Sequence, residues 1–146
     1  MTGFLVDTSV LSALAPGRGD AGATDWFRKH DGALFLPVVA LSEIRQGIAR
    51  LERMGASRKA AGLAAWFDET LRDFEDMLLP VGVEVALIAG TLSDRAKGLG
   101  ASPGYADTLI AATAQHHELT VATRNLRHFE QLGSVCLDPF NPGPAD

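Results

Sequence analysis

Four polar residues stand beside apolar or helical segments in a way that suits phosphodiester chemistry. Asp7 follows the apolar run Phe4-Leu5-Val6, and Asn125 follows another apolar run late in the chain. Glu43 and Asp107 lie between them, each in a segment of helical periodicity. Carboxylate and carbonyl oxygens are the ligands that hard cations such as Mg²⁺ and Mn²⁺ prefer. We therefore interpret Asp7, Glu43, Asp107 and Asn125 as one candidate metal site.

The residues around Asp107 give the most direct indication that its carboxylate binds a metal ion. Its neighbours one helical turn on are Ile110, Ala111 and Ala114, so Asp107 borders the core-facing side of its helix. A desolvated carboxylate costs free energy unless a cation satisfies it, and the same holds for Asp7 at a strand end. Two such carboxylates would raise each other's pKa, and a divalent cation removes that repulsion. Such a cation lowers the pKa of a bound water molecule. The site is therefore predicted to hydrolyse its substrate with this water, without a covalent nucleophile.

Each residue also has an ordinary structural interpretation. Asp7 could cap a helix, Glu43 could be a solvated helix residue, and Asp107 could favour the helix dipole. Asn125 could be a turn residue. A phosphatase with a nucleophilic aspartate is an alternative for Asp7, although Ser9 then stands where such sites need an acid. Another alternative for the whole chain is a non-catalytic binding module, in which Asn125 would mark the loss of activity.

Short apolar runs alternate with helical segments along the whole chain. This alternation predicts an α/β fold, in which a short, mostly parallel sheet of four or five strands is flanked by helices. The right-handed crossover rule brings the strand ends at Asp7 and Thr123 to the same edge of the sheet. The strands are expected near residues 4–6, 33–39, 78–81, 119–122 and 135–137, the third of them at an edge because it contains Pro80.

Capping residues predict where several helices begin. Thr24, Ser42, Ser57 and the pair Ser102-Pro103 are good starting signals. The helix after Ser57 has a wide apolar face, which indicates contact with a partner chain as well as with the core. That face consists of Ala60, Leu63, Ala64, Trp66, Phe67, Leu71, Phe74, Met77 and Leu78.

Composition bounds the remaining possibilities. The 146 residues suit one domain, residues 1–138, with a Pro/Gly-rich tail at 139–146. A net charge of -5 argues against an architectural nucleic-acid binder, which would be basic. One cysteine, Cys136, excludes an intramolecular disulfide and fits a reducing cytoplasm. No apolar run approaches the ~20 residues of a membrane span, and we expect no membrane association.

The order and spacing of four segments resemble those of PIN-domain ribonucleases, above all the VapC/FitB-like toxins of bacterial type II toxin–antitoxin pairs. The resemblance covers nearly the whole chain. The segments are Phe4-Leu5-Val6-Asp7-Thr8-Ser9, Ser42-Glu43-Ile44-Arg45-Gln46-Gly47, Asp107-Thr108-Leu109-Ile110-Ala111-Ala112 and Val121-Ala122-Thr123-Arg124-Asn125-Leu126-Arg127-His128-Phe129.

The resemblance implies a metal-dependent endoribonuclease with a compact α/β/α fold. Asp7 and Asp107 would be the main ligands of Mg²⁺, for which Mn²⁺ could substitute, and Glu43 would be a ligand or hold a metal-bound water. It also implies a homodimer and a cognate antitoxin that blocks the site. Many members of the family have Asp at the fourth position, where this chain has Asn125. Asn125 adds no charge, so a second metal should bind more weakly without substrate phosphate.

Several further residues are candidates for supporting roles. Thr8 and Thr123 could hold ligand waters or carboxylates, and Arg124 could reach a phosphate. His128 is expected to pack or to form a hydrogen bond rather than act as a general base. Basic residues cluster after Glu43 and form either a solvated helix face or an RNA-backbone track towards the site. They are Arg45, Arg50, Arg53, Arg58 and Lys59.

Overall fold

A five-stranded, all-parallel sheet lies at the centre of the computed structural model, which describes residues 3–141. Its strand order is β3-β2-β1-β4-β5, and every neighbouring pair is parallel. The predicted parallel sheet and the edge position of its third strand are therefore confirmed. The strands are β1 (Phe4–Val6), β2 (Leu34–Pro37), β3 (Leu78–Leu79), β4 (Thr120–Ala122) and β5 (Cys136–Leu137).

Helices connect the consecutive strands. The short helix α7, directly after Asn125, was not expected from the sequence. Within the described residues, no helix is both long and apolar enough to cross a membrane. The helices are α1 (Thr8–Ala13), α2 (Ala21–Lys29), α3 (Val38–Arg53), α4 (Ser57–Asp73), α5 (Val83–Gly98), α6 (Tyr105–His117) and α7 (Leu126–Gln131), with a single 3₁₀ turn at Glu75–Met77.

The sheet separates two hydrophobic layers. Leu5 and Val121 point into a layer formed with α5, α6 and α7. Val6 and Ala122 point the other way, into a layer formed with α1, α2, α3 and α4. Because successive strand residues face opposite layers and both layers are covered, the strands read as continuous apolar runs. The α/β/α arrangement follows from this.

Two of the predicted helix starts are wrong because an earlier residue begins the helix. Helix α2 begins at Ala21, and its cap is Asp20, whose carboxylate accepts a hydrogen bond from Ala23 N at 2.9 Å. Thr24 therefore lies inside α2. Helix α3 begins at Val38, directly after β2, and Ser42 lies in its second turn. The Ser42 hydroxyl donates to Val39 O at 2.8 Å, which is the bond that a helix-interior serine makes.

The other two capping signals also fail. The cap of α6 is Gly104 rather than Ser102, and the hydroxyl of Thr108 donates back to Gly104 O at 3.0 Å. The cap of α4 is Ala56, so Ser57 is the first helical residue instead of the cap. Both predicted caps lie within two residues of the observed ones, which is the usual uncertainty of a helix end.

The apolar face of α4 serves mainly the protein's own core. Phe67 is buried, and Leu63 and Trp66 are half-buried against the layer beneath them. Large apolar side chains are more exposed on the opposite layer, at the start of α5 and α6. There the side chains of Val83, Leu87 and Tyr105 are 77%, 69% and 77% exposed. An apolar surface suited to a partner is therefore found at the start of α5 and α6. Leu63 and Trp66 of α4 also line a surface groove of about 410 Å³, and a partner contact through α4 stays a prediction. Residues 142–146 of the predicted tail lie outside the described part of the chain.

The two leucines Leu92 and Leu99 test the packing of α5. Leu92 is 2% exposed, and Leu99 is 73% exposed. We expect Leu92→Ala to lower the free energy of unfolding by about 2–5 kcal/mol, because it leaves a cavity between α5 and the sheet. Leu99→Ala should change it by about 0.5 kcal/mol or less. Urea denaturation measures both, and equal losses would contradict this placement of α5.

Candidate active site

The strand order creates a crevice at the carboxyl ends of β1 and β4. From β1 the chain proceeds to β2 and β3 on one side, and later to β4 and β5 on the other side. Ligands bind at such switch points, because the connections leave the two neighbouring strands in opposite directions. Asp7 follows β1 and Thr123 follows β4, and Asp7 N donates to Ala122 O at 2.9 Å. The structure thus brings together the two strand ends that the sequence predicted to meet.

The Asp7 carboxylate is almost fully buried and accepts three hydrogen bonds. Its Oδ1 accepts from the backbone N of Thr8 at 2.8 Å. Its Oδ2 accepts from the hydroxyls of Ser9 at 2.9 Å and Thr123 at 2.8 Å. The side chain also caps α1 and is part of a residue only 3% exposed. Since an ionised carboxylate offers about four acceptor positions, a position on Oδ1 is left for a ligand.

Burial raises the pKa of Asp7 above its ordinary value of 3.8. The hydrogen bonds from Thr123 and Ser9 oppose this shift, and the negative charge of Asp107 adds to it. The ionised form of Asp7 is therefore destabilised by desolvation and by a neighbouring carboxylate, as the sequence argument required. A bound cation would relieve both effects.

Asp107 faces the same crevice from the first turn of α6. Its side chain is 22% exposed, and its Oδ2 lies 3.3 Å from Nδ1 of His128 in α7. His128 is therefore within hydrogen-bonding distance of a candidate ligand, in agreement with its expected role. The side chains of Ala111 and Ala114 are buried one and two turns further along α6. Their small size allows α6 to approach the sheet closely enough for Asp107 to act on Asp7.

Glu43 is connected to the site through Thr8. The Thr8 hydroxyl donates to Oε1 of Glu43 at 2.5 Å, and Glu43 itself is half-buried. Periodicity within α3 alone would leave Glu43 in solvent. Packing of α1 against α3 brings it to the residue that follows Asp7.

The loop between β4 and α7 is fixed to Asp7 through two hydroxyl groups. The backbone N of Asn125 donates to Oγ1 of Thr123 at 2.9 Å, and the backbone N of Arg124 donates to Oγ of Ser9 at 3.2 Å. Both of these hydroxyls in turn donate to Asp7. The side chain of Asn125 is exposed and makes no capping bond to α7 among the described residues. Its role as a fourth ligand stays a prediction.

Arg45 lies on a different surface from Arg124. Its guanidinium carbon is 5.8 Å from the centre of the Phe67 ring, on the side of α3 that faces α4. A contact between Arg45 and RNA also stays a prediction. Of the basic residues after Glu43, Arg50 and Lys59 line a groove of about 410 Å³ that begins at Thr8 and Glu43.

The donor atoms fit a hydrated divalent cation. No three His, Cys, Asp or Glu side chains within residues 3–141 come close enough to hold an ion by themselves. The carboxylates that interact electrostatically are Asp7 and Asp107. Asp7 is surrounded by the hydroxyls of Ser9 and Thr123 and the backbone N of Thr8, and Asp107 has the ring of His128 beside it. Mg²⁺ is commonly bound by one or two carboxylates, with waters and substrate phosphates as its other ligands. Asp7 and Asp107 could hold such an ion, and Glu43 could hold one of its waters.

Sequence reasoning missed three residues that shape the site. Ser9 donates to Asp7 and accepts from Arg124, and its position two residues after a strand-end Asp was an available signal. Arg18 and Phe140 lie beside Arg124, and the Phe140 ring centre is 4.1 Å from the Arg124 guanidinium carbon. No local pattern in the sequence predicts this contact, because α7 and β5 separate Arg124 from Phe140 along the chain.

Comparison with known proteins gives one consistent family. Residues 4–134 match the family model described as PIN domain. The chain is 33% identical over 134 residues to Ribonuclease VapC10 of Mycobacterium tuberculosis, covering 88% of this chain and 90% of that protein. It is 28% identical over 141 residues to Toxin FitB of Neisseria gonorrhoeae, covering 94% of this chain and 99% of that protein.

A solved structure supports the same family. The crystal structure of FitAcB from Neisseria gonorrhoeae superposes with a TM-score of 0.83 at 30% sequence identity, covering 94% of this chain and 99% of that chain. The similarity therefore extends over the whole α/β/α arrangement and includes all the elements that carry the candidate site.

The raised pKa of Asp7 predicts how stability depends on pH in metal-free protein. The folded state holds the Asp7 proton more tightly than the unfolded state does. The contribution of Asp7 to the free energy of unfolding therefore falls as pH rises from the unfolded value near 3.8 through the higher folded value. Asp7→Asn should remove this contribution, so its stability relative to the wild type should increase over that interval. Urea denaturation in EDTA measures the difference, and a difference that does not change with pH would contradict the assignment.

Proposed function

The chain belongs to the PIN-domain family, and on that premise we propose that it is an endoribonuclease that acts as the toxin of a toxin–antitoxin pair. The observation that carries the proposal is the buried carboxylate of Asp7 in the crevice between β1 and β4, whose pKa is raised by burial and further by the negative charge of Asp107. The names of the relatives, Ribonuclease VapC10 and Toxin FitB, support the reaction and the biological role.

We propose Mg²⁺ as the cofactor, with Mn²⁺ as a substitute. Asp7 and Asp107 would hold it directly, and Glu43 would hold it through water. When bound, the ion supplies an activated water and stabilises negative charge on the phosphoryl oxygens. The support for this proposal is the oxygen-only donor set and the electrostatic strain between the two carboxylates.

The remaining residues orient these carboxylates. The hydroxyls of Ser9 and Thr123 keep the Asp7 carboxylate in a single orientation. Thr8 orients Glu43, and His128 orients Asp107. Ligands that are held in place in this way need no rearrangement when substrate arrives, which favours the reaction.

We further propose an antitoxin partner and a homodimer. The antitoxin is supported by the family and by the relative named Toxin FitB. The homodimer is supported by Val83, Leu87 and Tyr105, which expose large apolar side chains on neighbouring helices. A cytoplasmic location is proposed because the single cysteine fits a reducing compartment.

Replacement of either acidic ligand tests the reaction. Asp7→Asn and Asp107→Asn should each lower the rate of RNA cleavage by about 100-fold or more, because they remove charge that acts on the reacting centre. Asp94→Asn in α5 makes the same change on an exposed residue outside the site and should leave the rate unchanged. The measurement is cleavage of a mixed RNA pool with Mg²⁺ or Mn²⁺.

EDTA should abolish cleavage by the wild type, and added Mn²⁺ should restore it. If wild-type protein does not cleave RNA with either metal and binds no Mn²⁺ at millimolar concentration, the chain is a non-catalytic binding module. If all three Asp→Asn variants cleave at the same rate, the carboxylates named here are not the active site.

A comparison of two buried threonines, Thr123 and Thr113, separates the orientation of Asp7 from general stability. Both are 0% exposed, and the hydroxyl of Thr113 donates only within its own helix, to Leu109 O at 2.8 Å. Thr123→Val should lower stability by about 1–3 kcal/mol and also slow cleavage, because Asp7 loses a donor and Asn125 N loses its acceptor. Thr113→Val should leave cleavage unchanged. Equal cleavage rates for the two variants would show that Asp7 does not need Thr123.

A further inference from the structure

A cleft of about 300 Å³ opens beside the candidate active site. It lies between α1, the loop that follows α1, and the segment after β5. Its polar lining begins at Ser9, which is one hydrogen bond from Asp7, and its far side is formed by the ring of Phe140. Ser12, Arg18, Asp20 and Arg124 complete the part of the lining that can make polar contacts.

The cleft carries positive charge although the chain as a whole has a net charge of -5. Arg18 and Arg124 are exposed, and within residues 3–141 neither guanidinium forms a salt bridge. The one carboxylate in the lining, Asp20, already accepts the capping bond from Ala23 N. Two unneutralised guanidinium groups therefore face a cleft that is lined by one carboxylate.

Arg124 is held in place from two directions. Its backbone N donates to Ser9 Oγ, which couples it to the carboxylate of Asp7. Its guanidinium lies over the ring of Phe140 at 4.1 Å, within the range of a cation–π contact. Phe140 in turn is fixed by a turn in which its backbone N donates to Oδ1 of Asp138 at 2.9 Å, and its ring packs against the core. The position of the Arg124 side chain is thus set before any ligand arrives.

We propose that this cleft is a subsite for a backbone phosphate of the RNA strand, adjacent to the phosphate that is cleaved. Arg18 and Arg124 contact the phosphate, and Phe140 is a positioning residue for Arg124. The inference rests on the proposed ribonuclease function, because it takes the scissile phosphate to lie at Asp7. A strand bound there continues past Ser9, and the planar guanidinium groups that it meets suit phosphate oxygens.

Salt dependence of RNA binding tests the two arginines. The probe is a short, mixed-sequence, single-stranded RNA with a fluorescein label, and EDTA prevents cleavage. For single strands, each lost phosphate contact should reduce the slope of log K against log salt concentration by about 0.7. We expect that reduction for Arg124→Ala and for Arg18→Ala. Arg95→Ala is the matched control, since Arg95 lies near Gly133, which precedes β5, whereas the cleft lies beyond the carboxyl ends of β4 and β5.

Two substitutions of Phe140 test its positioning role. Phe140→Leu keeps an apolar side chain in the core but removes the ring face, and it should weaken RNA binding by about two- to five-fold. Phe140→Tyr keeps the ring and should bind RNA as the wild type does. In the Arg124→Ala background, Phe140→Leu should have no further effect. A purely structural role for Phe140 would instead give the same loss with and without Arg124.

The possible results separate this inference from the function on which it rests. If wild-type protein cleaves RNA but the Arg18→Ala and Arg124→Ala slopes equal that of Arg95→Ala, the subsite is wrong and the ribonuclease proposal stands. If the wild type neither binds nor cleaves RNA, both proposals are wrong. If polyglutamate binds as tightly as RNA and loses affinity in the same variants, the cleft receives an acidic protein instead.

Discussion

The structure depends on one buried carboxylate whose charge is only partly compensated. Asp7 lies at the end of a central strand, where desolvation opposes its ionised form. The hydroxyls of Ser9 and Thr123 and the backbone N of Thr8 satisfy its oxygens but supply no positive charge. A buried, hydrogen-bonded and uncompensated anion is the condition under which a cation binds with most benefit. The other groups of the candidate site are arranged around this carboxylate.

Strand order explains why such a carboxylate can exist here. The crossover connections leave β1 towards β2 on one side, whereas β4 joins β1 on the other. This divergence opens a crevice at the end of an otherwise buried strand, where Asp7 is only 3% exposed and, within the described residues, its Oδ1 accepts one hydrogen bond and its Oδ2 accepts two. Helices α6 and α3 pack against each other and carry Asp107 and Glu43 to this crevice, where the charge of Asp107 acts on Asp7 and the hydroxyl of Thr8 donates to Glu43.

The charge distribution reconciles an acidic chain with a polyanionic substrate. The overall charge of -5 disfavours nucleic acid at a distance. The guanidinium groups of Arg18 and Arg124, which form no salt bridge within residues 3–141, line a cleft on one side of the carboxylates, and Arg50 and Lys59 line the groove on another. Negative charge is therefore concentrated where a metal ion would neutralise it, and positive charge surrounds it. Affinity for RNA in such a protein depends on local placement of a few basic residues rather than on net charge.

The sequence by itself determined the sheet, its parallel direction and the meeting of Asp7 with Thr123, because strand periodicity and crossover handedness are properties of the local chain and its order. It also identified Asp107 through the small residues that follow it. It did not determine the helix starts at Ala21 and Val38, because the predicted capping residues Thr24 and Ser42 lie inside those helices.

Only the tertiary structure decided how the polar side chains of the candidate site contact one another. The bond from Thr8 to Glu43, the pair His128–Asp107 and the stacking of Arg124 on Phe140 each join residues that no periodicity relates. Glu43 shows the reason most clearly: the pattern of its own helix turns it towards water, and only the approach of α1 gives it a partner. Such contacts depend on how helices and strands pack against each other. That packing is determined by all the residues of the core together, so it cannot be predicted from the few residues that come into contact.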